Sequence, residues 1–348
     1  MDEQFMRRAF ELAELGKGSV SPNPLVGCVV VSEGRIIGEG WHQQYGGPHA
    51  EVNALNSVRD NQLIRNSTVY VNLEPCAHHG KTPPCADRLI GEGVKRVVIS
   101  NKDTNPSVRG GGAAMIAAAG IATEVGLLSA EGRYLNRRFF TAVEKKRPYI
   151  ILKWAETADG FIARENLESK WISHNWSRNM VHQWRAQEDG VLVGTRTAQH
   201  DNPRLNVRTG AGRNPCRIVI DRFLRLNERL HLFDGSQPTF CYNLLKHEEH
   251  PNLTLVRLGE GNFWADLFSD LWHRNIQSVM VEGGAMTLNL MLEAGWWDEI
   301  RRFRSPRTFG KGIAAPRVQG HLNAEHRIAD DQLQVFSVGS CSQDSHAQ

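Results

Sequence analysis

The chain has 348 residues, enough for two domains at roughly 150 residues each. Hydrophobic residues make up 41% and charged residues 23%, proportions of a folded globular protein that exclude a disordered or fibrous chain. The net charge of +3 is spread evenly, with 17 basic against 15 acidic residues up to position 146 and 24 against 23 beyond it. No basic face of the kind a nucleic-acid binder carries is indicated, so no nucleic-acid partner is expected.

Phe5, Met6, Ala9, Phe10, Leu12 and Ala13 fall at helical spacing and predict a helix over residues 3–15. The acidic start, Met1-Asp2-Glu3-Gln4, lacks the basic and then apolar layout of a signal peptide. Val26–Val31 and Arg35–Trp41 read as strands around a Glu33-Gly34 turn. The longest apolar run, Leu25–Val31, is about a third of the ~20 residues a membrane-spanning helix needs. A cytoplasmic protein without a membrane partner is expected. There follow a helix over His49–Val58, a strand Thr68–Leu73, a helix Cys85–Gly91, a strand Arg96–Ser100, a small-residue helix Gly111–Ala119 and a short strand Ile121–Val125. Such alternation predicts an α/β sheet covered by helices on both faces.

Glu144-Lys145-Lys146-Arg147-Pro148 breaks the pattern, and Pro148 disfavours a helix running into it. The expected domains are therefore 1–146 and 147–348. Beyond the break, strands are predicted at Tyr149–Trp154, Gly190–Val193, Arg217–Ile220, Thr239–Tyr242, Leu253–Leu258 and Ser278–Glu282, with helices at Trp176–Gln187, Phe263–Arg274 and Met286–Ala294. This is a second α/β domain, and residues 340–348 read as a polar tail. Six cysteines (28, 76, 85, 216, 241 and 341) are too few and too scattered for a disulfide framework, so a close pair points to metal or catalysis.

One such pair stands out. His49-Ala50-Glu51 opens a predicted helix, Pro75-Cys76 follows a predicted strand, and Cys85 opens the next helix. One imidazole and two thiolates around zinc leave a fourth tetrahedral position for water, the catalytic arrangement, and helix N-termini favour thiolate over thiol. Zinc lowers the pKa of its water to near 7. A carboxylate two residues from the histidine can sit beside that water and carry protons to the ring and the leaving amine. The H-x-E and P-C elements match the signature of zinc nucleobase deaminases, but eight residues rather than two separate the cysteines. Singly, each of these residues is as well explained by an ordinary place in core or surface, and a closed structural zinc site completed by His78 or His79 competes. Cys28 reads as a core residue; Cys216, Cys241 and Cys341 are given no role.

Four segments resemble the deaminase half of the bifunctional riboflavin-biosynthesis deaminase/reductase family: Pro22–Val31, Gly38–His42, Pro48–Glu51, and Leu73–Cys85 with that family's eight-residue cysteine gap. The resemblance implies a three-layer α/β/α cytidine-deaminase-like domain with His49, Cys76 and Cys85 as Zn2+ ligands and Glu51 as proton donor. It further implies that Asn23, His42, His79 and Lys81 line the pyrimidine or phosphate side of the pocket. Asp103–Arg109 resembles the family's D-x-N-P turn, and is equally an Asx turn.

In the second half no G-x-G-x-x-G follows a strand, which leaves a Rossmann reading without support. Ser278–Val281 runs into Glu282-Gly283-Gly284 and a helix, a common connector that also makes an anion site where free helix amides meet a phosphate. Leu152–Ala155, Asp159-Gly160, Ser169–Ser173, Arg185, Gly194–Thr197, Asp201–Arg208, Ile218–Asp221 and Val281–Gly284 resemble the family's reductase half. That likeness implies a dihydrofolate-reductase-like α/β domain using NADPH. By the resemblance, Ala155, Trp171, Thr197, Asp201, Gly284, Ala285, Met286, Thr287, Leu288, Asn289 and Leu290 hold the cofactor. Lys153, Ser169, Arg185, Leu205, Arg208 and Glu282 face the substrate. The residue types agree: Arg185 and Arg208 are apt phosphate forks, and Trp171 can pack on a flat ring. Three segments depart from the family: Glu156-Thr157-Ala158, Glu165–Glu168 without the glycine expected before Ser169, and Phe303–Ala315, which aligns poorly with A-P-x-x-x-G-G.

The expected function is zinc-dependent hydrolytic deamination of 2,5-diamino-6-(5-phosphoribosylamino)pyrimidin-4(3H)-one, then NADPH-dependent reduction of ribosyl to ribityl, giving 5-amino-6-(5-phosphoribitylamino)uracil. The expected partners are this phosphoribosyl pyrimidine and further copies of the chain in a homo-oligomer. Three alternatives stay open: a deaminase whose reductase half has decayed, an RNA or DNA base deaminase, and a non-enzymatic zinc and nucleotide scaffold indifferent to Glu51→Gln.

Overall fold

The computed structural model describes residues 1–77, 83–105, 111–167 and 172–339. The chain forms two compact units, Met1–Arg147 and Pro148–Gln348. No described helix is long and apolar enough to cross a membrane.

The first unit runs α1 (Asp2–Glu14), β1 (Gly27–Ser32), β2 (Arg35–Trp41), α2 (Ala50–Asn56), β3 (Thr68–Leu73), α3 (Cys85–Glu92), β4 (Arg96–Asn101), α4 (Gly111–Ala118), β5 (Ala122–Val125), α5 (Ser129–Leu135) and α6 (Arg137–Lys145). Its sheet has the order β2-β1-β3-β4-β5. β1 is antiparallel to β2 and β3, and the remaining joints are parallel. Side chains alternate between faces along each strand. Cys28, Val30, Val71 and Ile99 meet Ala54 and Leu55 of α2, Leu89 of α3 and Ile116 of α4. Val29, Val31, Tyr70 and Val98 meet Met6, Ala9 and Leu12 of α1 on the other face. Each aliphatic side chain so buried contributes about 1.5–3 kcal/mol. The result is the expected three-layer α/β/α stack, and Cys28 is the core residue it was read to be. α5 and most of α6 occupy residues for which the sequence offered no element; only Glu144 and Lys145, at the end of α6, belong to the charged boundary.

The second unit runs β6 (Tyr149–Glu156), β7 (Phe161–Ala163), α7 (Asn175–Gln187), β8 (Gly190–Gly194), α8 (Thr195–Asp201), β9 (Cys216–Ile220), β10 (Thr239–Asn243), β11 (Glu248–His250), β12 (Leu253–Arg257), α9 (Phe263–His273), β13 (Ser278–Val281), α10 (Ala285–Glu293), β14 (Glu299–Arg304), β15 (Ile313–Ala314), β16 (His321–Ile328) and β17 (Asp331–Ser337). The main sheet has the order β11-β12-β10-β9-β8-β13-β6-β14-β17-β16. It is parallel from β12 through β14 and antiparallel at its margins. Ile150, Leu152, Val279 and Val281 pack with Phe263, Leu267, Leu288 and Met291 of α9 and α10. Ile151, Val191, Val193 and Met280 pack with Val181 of α7 and Ala198 of α8. Parallel strands covered on both faces leave one place for a ligand, the crevice beyond their carboxyl ends.

Of the departures from the family pattern, Glu156 is buried and accepts from the Trp154 indole at 2.9 Å, with Arg302 at 3.3 Å. In Glu165–Glu168, the stretch without the expected glycine, Leu167 adopts φ +69, a left-handed conformation that costs a β-carbon residue about 1–2 kcal/mol.

Candidate active sites

The first site forms where α2 and α3 begin. Gly40 lets α2 lie directly on β2, since a Cβ there would fall 2.2 Å from the Ala54 amide nitrogen. His49 is the residue before α2, Cys85 is the first residue of α3, and Cys76 follows β3. Their donor atoms all lie within 4.8 Å of one another. His49 Nδ1 is 3.2 Å from Cys85 Sγ and 3.6 Å from Cys76 Sγ. Ligands at tetrahedral zinc, about 2.0–2.3 Å from the metal, stand at such separations from each other, so the donor set and its spacing fit zinc.

The sequence places Cys76 after a strand and Cys85 at a helix start, and expects helix N-termini to help both thiols ionise. Only Cys85 stands at one, but Cys76 Sγ accepts the Cys85 main-chain N–H at 3.3 Å, so one helix N-terminus serves both sulfurs. The Cys85 S–H, with help from His49, holds Cys76 down at about 4, whereas donating to Cys76, burial and the nearby Glu51 push Cys85 up. Metal binding therefore expels the Cys85 proton. The Cys76 interaction in turn raises His49 against the effect of burial. Glu51, in the first turn of α2, is 3% exposed. Burial lifts its carboxyl above the usual range, opposed by His49, and it interacts with Cys85.

Of the expected pocket residues, His42 and Asn23 stand beside this cluster. The His42 ring is edge-on to His49 at 5.7 Å. Its Nδ1 donates to the Pro48 carbonyl, which can only accept, so its Nε2 is the acceptor for the Asn23 amide at 3.0 Å. His78, His79 and Lys81 lie outside the described residues. The Asp103 carboxylate accepts from the Asn105 amide, the Asx turn expected there; residues 106–109 lie outside the description.

Gly112 was not singled out in the sequence, yet it seats the metal loop. A Cβ on it would fall 1.8 Å from the Pro75 carbonyl oxygen, one residue before Cys76. Gly112→Ala should displace that carbonyl, cost about 1–3 kcal/mol in thermal unfolding and weaken zinc about 10–100-fold in a chelator competition. Unchanged zinc affinity would show that Pro75 can shift without moving Cys76.

The second site is a cavity of about 950 Å³ within the second unit, beyond the carboxyl ends of β6, β8, β9 and β13. Gly194, Gly283 and Gly284 bring two loops together across it. A Cβ on Gly194 would lie 2.5 Å from Thr287 Oγ1, and one on Gly283 3.1 Å from Thr197 Cγ2. The N-terminus of α10 opens beside this glycine seam, which gives a phosphate-bearing cofactor close backbone and free amides. Ala155, Thr197, Asp201, Gly284, Ala285, Met286, Thr287, Leu288 and Leu290 line the cavity. Asn289 does not, and Trp171 and Ser169 lie outside the described residues.

Lys153, Arg185, Arg208 and Glu282 line the same cavity. Arg185 grips the Glu282 carboxylate through Nε at 2.5 Å and Nη2 at 2.8 Å, with Lys153 Nζ 3.9 Å away. Burial opposes ionisation of Glu282, but Arg185 and then Lys153 overcome it and hold the carboxyl at about 2. Burial lowers Lys153, partly offset by Glu282. Leu205 is 2% exposed in the apolar core at φ +49 and does not line the cavity. Sequence reasoning passed over His182, Arg196, Arg222 and Phe223, all of which line it. Two of them had a signal: Arg196 lies within the Gly194–Thr197 segment quoted above, and His182 stands three residues before Arg185 on one helix.

Residues 148–342 match the family model of the RibD C-terminal domain, and residues 1–101 match that of the cytidine and deoxycytidylate deaminase zinc-binding region. The riboflavin biosynthesis protein RibD of Aquifex aeolicus is 39% identical over 320 residues, covering 90% of this chain and 89% of that one. Its counterpart from Escherichia coli is 37% identical over 327 residues, with 89% of each chain covered. A diaminohydroxyphosphoribosylaminopyrimidine deaminase/5-amino-6-(5-phosphoribosylamino)uracil reductase from Thermotoga maritima has a crystal structure similar to this one at a TM-score of 0.89 and 37% identity, covering 97% of this chain and 99% of that.

Proposed function

The chain belongs to the RibD family of riboflavin biosynthesis, and on that premise we propose that its first unit carries the deaminase and its second the reductase, each at the site described above. It is a bifunctional enzyme of that pathway, using zinc in one half and NADPH in the other. The observation that carries the assignment is the meeting of one imidazole, two thiols and a buried carboxylate at the starts of two helices.

His49, Cys76 and Cys85 would hold the zinc. When bound there, it supplies the Lewis acidity that makes water a nucleophile near neutral pH. The water oxygen bonds to the ring carbon bearing the amine, the C–N bond breaks, and ammonia leaves. Glu51 takes the proton that water gives up and delivers it toward the departing nitrogen, and its buried setting keeps that proton from solvent. Asn23, fixed by its hydrogen bond to His42, would accept from a pyrimidine N–H through its carbonyl oxygen.

In the second unit Ala155, Thr197, Asp201, Gly284 to Leu288 and Leu290 would hold NADPH, which when bound supplies a hydride for C1′ of the sugar chain. Arg208 is placed to receive the phosphate. Lys153, buried beside Glu282 with a lowered pKa, would pass a proton to the substrate as the hydride arrives. The substrate class is a phosphoribosylamino pyrimidine.

A homo-oligomer belongs to the same reading. It is supported by the edge position of β16 and by Trp176, 65% exposed beside a groove with Met180 and Ile328. A cytoplasmic place of action fits the five free cysteines among the described residues.

Mass spectrometry of the diamino substrate incubated with the purified chain tests both halves. The amine-to-oxo change should appear without NADPH, and two hydrogens should be gained once NADPH is added. A strong chelator should abolish the first change and leave reduction of pre-formed oxo compound intact. Deamination that survives complete zinc removal would overturn the assignment of the first site.

A further inference from the structure

One imidazole in the wall of the second cavity has no part in the roles assigned so far. His182 and Arg185 lie three residues apart on α7 and leave it on the same side, and both line the cavity. His182 Nδ1 is 3.1 Å from the main-chain oxygen of Asn206. A carbonyl can only accept, so Nδ1 carries the hydrogen and Nε2 keeps its lone pair. The same oxygen accepts from Arg185 Nη1 at 3.1 Å, which sets the ring and the guanidinium side by side. Arg208 Nη1 reaches the Asn206 side-chain oxygen at 3.2 Å. No hydrogen-bond partner meets His182 Nε2 among the described residues.

The charged groups facing the ring are Arg185 from its own helix, Arg208 from the loop after α8, and Glu282 from the end of β13. Burial first, and then the two guanidiniums, hold the imidazole down at about 4. The ring is therefore neutral at physiological pH.

We propose that His182 is a specificity-determining residue of the reductase, accepting at Nε2 a hydrogen bond from a hydroxyl of the substrate's sugar chain. The inference rests on the reductase reading above. Guanidiniums and ammonium groups only donate, and both oxygens of the Glu282 carboxylate already accept from Arg185. A hydroxylated chain in this wall would find partners for its oxygens but few for its hydrogens. A hydroxyl can accept from a neighbouring guanidinium and donate to Nε2 at once. An ionised phosphate oxygen has no hydrogen to offer and would set lone pair against lone pair.

The test compares the full-length wild type with His182→Asn and His182→Gln. Asparagine keeps an N–H directed at Asn206 and leaves nothing at Nε2, whereas glutamine reaches far enough to restore an acceptor. Calorimetric titration with ribose 5-phosphate and with inorganic phosphate is paired with reduction kinetics at saturating NADPH. His182→Asn should weaken ribose 5-phosphate about five- to tenfold, the loss of one hydrogen bond. Inorganic phosphate should stay within about twofold, well under one hydrogen bond. KM should rise by the same factor as the ribose 5-phosphate constant, with kcat less affected, and His182→Gln should recover most of the loss. Equal weakening of both ligands would overturn the proposal in favour of a phosphate contact. Weakening of neither would leave the ring only a packing role. A wild type that binds no ribose 5-phosphate and reduces nothing would instead bring down the reductase reading, and the role of His182 with it.

Discussion

Replacing Glu51 with glutamine is expected to slow deamination about a thousandfold, within the 10²–10⁴ that a positioned acid–base group contributes. The side chain is 3% exposed at the start of α2 and touches the Cys85 end of the metal cluster. Glutamine fills the same volume and still accepts at one oxygen, but it cannot take a proton from water and return it. Zinc content should stay at the wild-type ratio, because the three ligand atoms do not include the Glu51 carboxylate. The melting temperature should hold or rise, since burial disfavours the carboxylate that the substitution removes. Reduction of the oxo compound should be unaffected. These measurements separate three cases. Rate lost with zinc retained assigns proton transfer to Glu51. Rate and zinc lost together would make it a structural support of the metal. An unchanged rate would mean that another group moves the proton, and would favour a scaffold for which Glu51 is dispensable.

The metal site was legible in sequence because its chemistry is local. His49 and Glu51 straddle the first residue of one helix, and Cys85 is the first residue of another, so capping position and residue type were visible together. Strands buried on both faces were legible too, as in Gly27–Ser32, where nearly continuous apolar residues left no other place for them. α6 was hidden because Phe139, Phe140, Thr141 and Ala142 are buried in succession, which erases helical periodicity, while the charged residues at its end read as a boundary; α5 is about two turns long and buries only Gly132 and Leu135. β14 was hidden by Arg301, Arg302 and Arg304. Arg301 is 6% exposed, bound to Glu299 at 2.5 Å and stacked on Trp184, a buried charge that hydrophobic patterning counts as surface. β16 is an edge strand with little buried on either face. The reductase cavity could not be read residue by residue for a topological reason. Its wall joins residues from 153 to 313 only because β9, β8, β13 and β6 lie side by side, and that order is not written in any local run of the chain.

In the second unit the largest expected effect belongs to Glu282→Ala. Glu282 and Arg185 have side chains only 8% and 10% exposed, and Lys153, 16% exposed, approaches the same carboxylate. Removing the carboxylate strands two cations in a poorly solvated wall. Breaking a buried pair in this way costs about 3–5 kcal/mol, far more than the pair itself contributes, so urea unfolding of the second unit should move to much lower denaturant and reduction should be lost. Deamination provides the control that the first unit remains folded. Glu282→Gln keeps the shape and one accepting oxygen and should fall between the two. The pH dependence identifies the cause. A carboxyl held at about 2 when folded, against 4.5 ordinarily, contributes stability that is fully present above 4.5 and lost as pH falls toward 2. His182, held at about 4 against 6.5, acts in the same direction between 6.5 and 4, because the unfolded chain takes up its proton first. Wild type should thus lose stability in two steps on acidification, and Glu282→Gln should keep the upper step and show a smaller lower one, the remainder coming from carboxylates such as Asp234 that Arg217 holds low. If the lower step is undiminished in Glu282→Gln, the acid sensitivity arises elsewhere, and the Arg185–Glu282 pair is a geometric clamp with no electrostatic share in holding the cavity together.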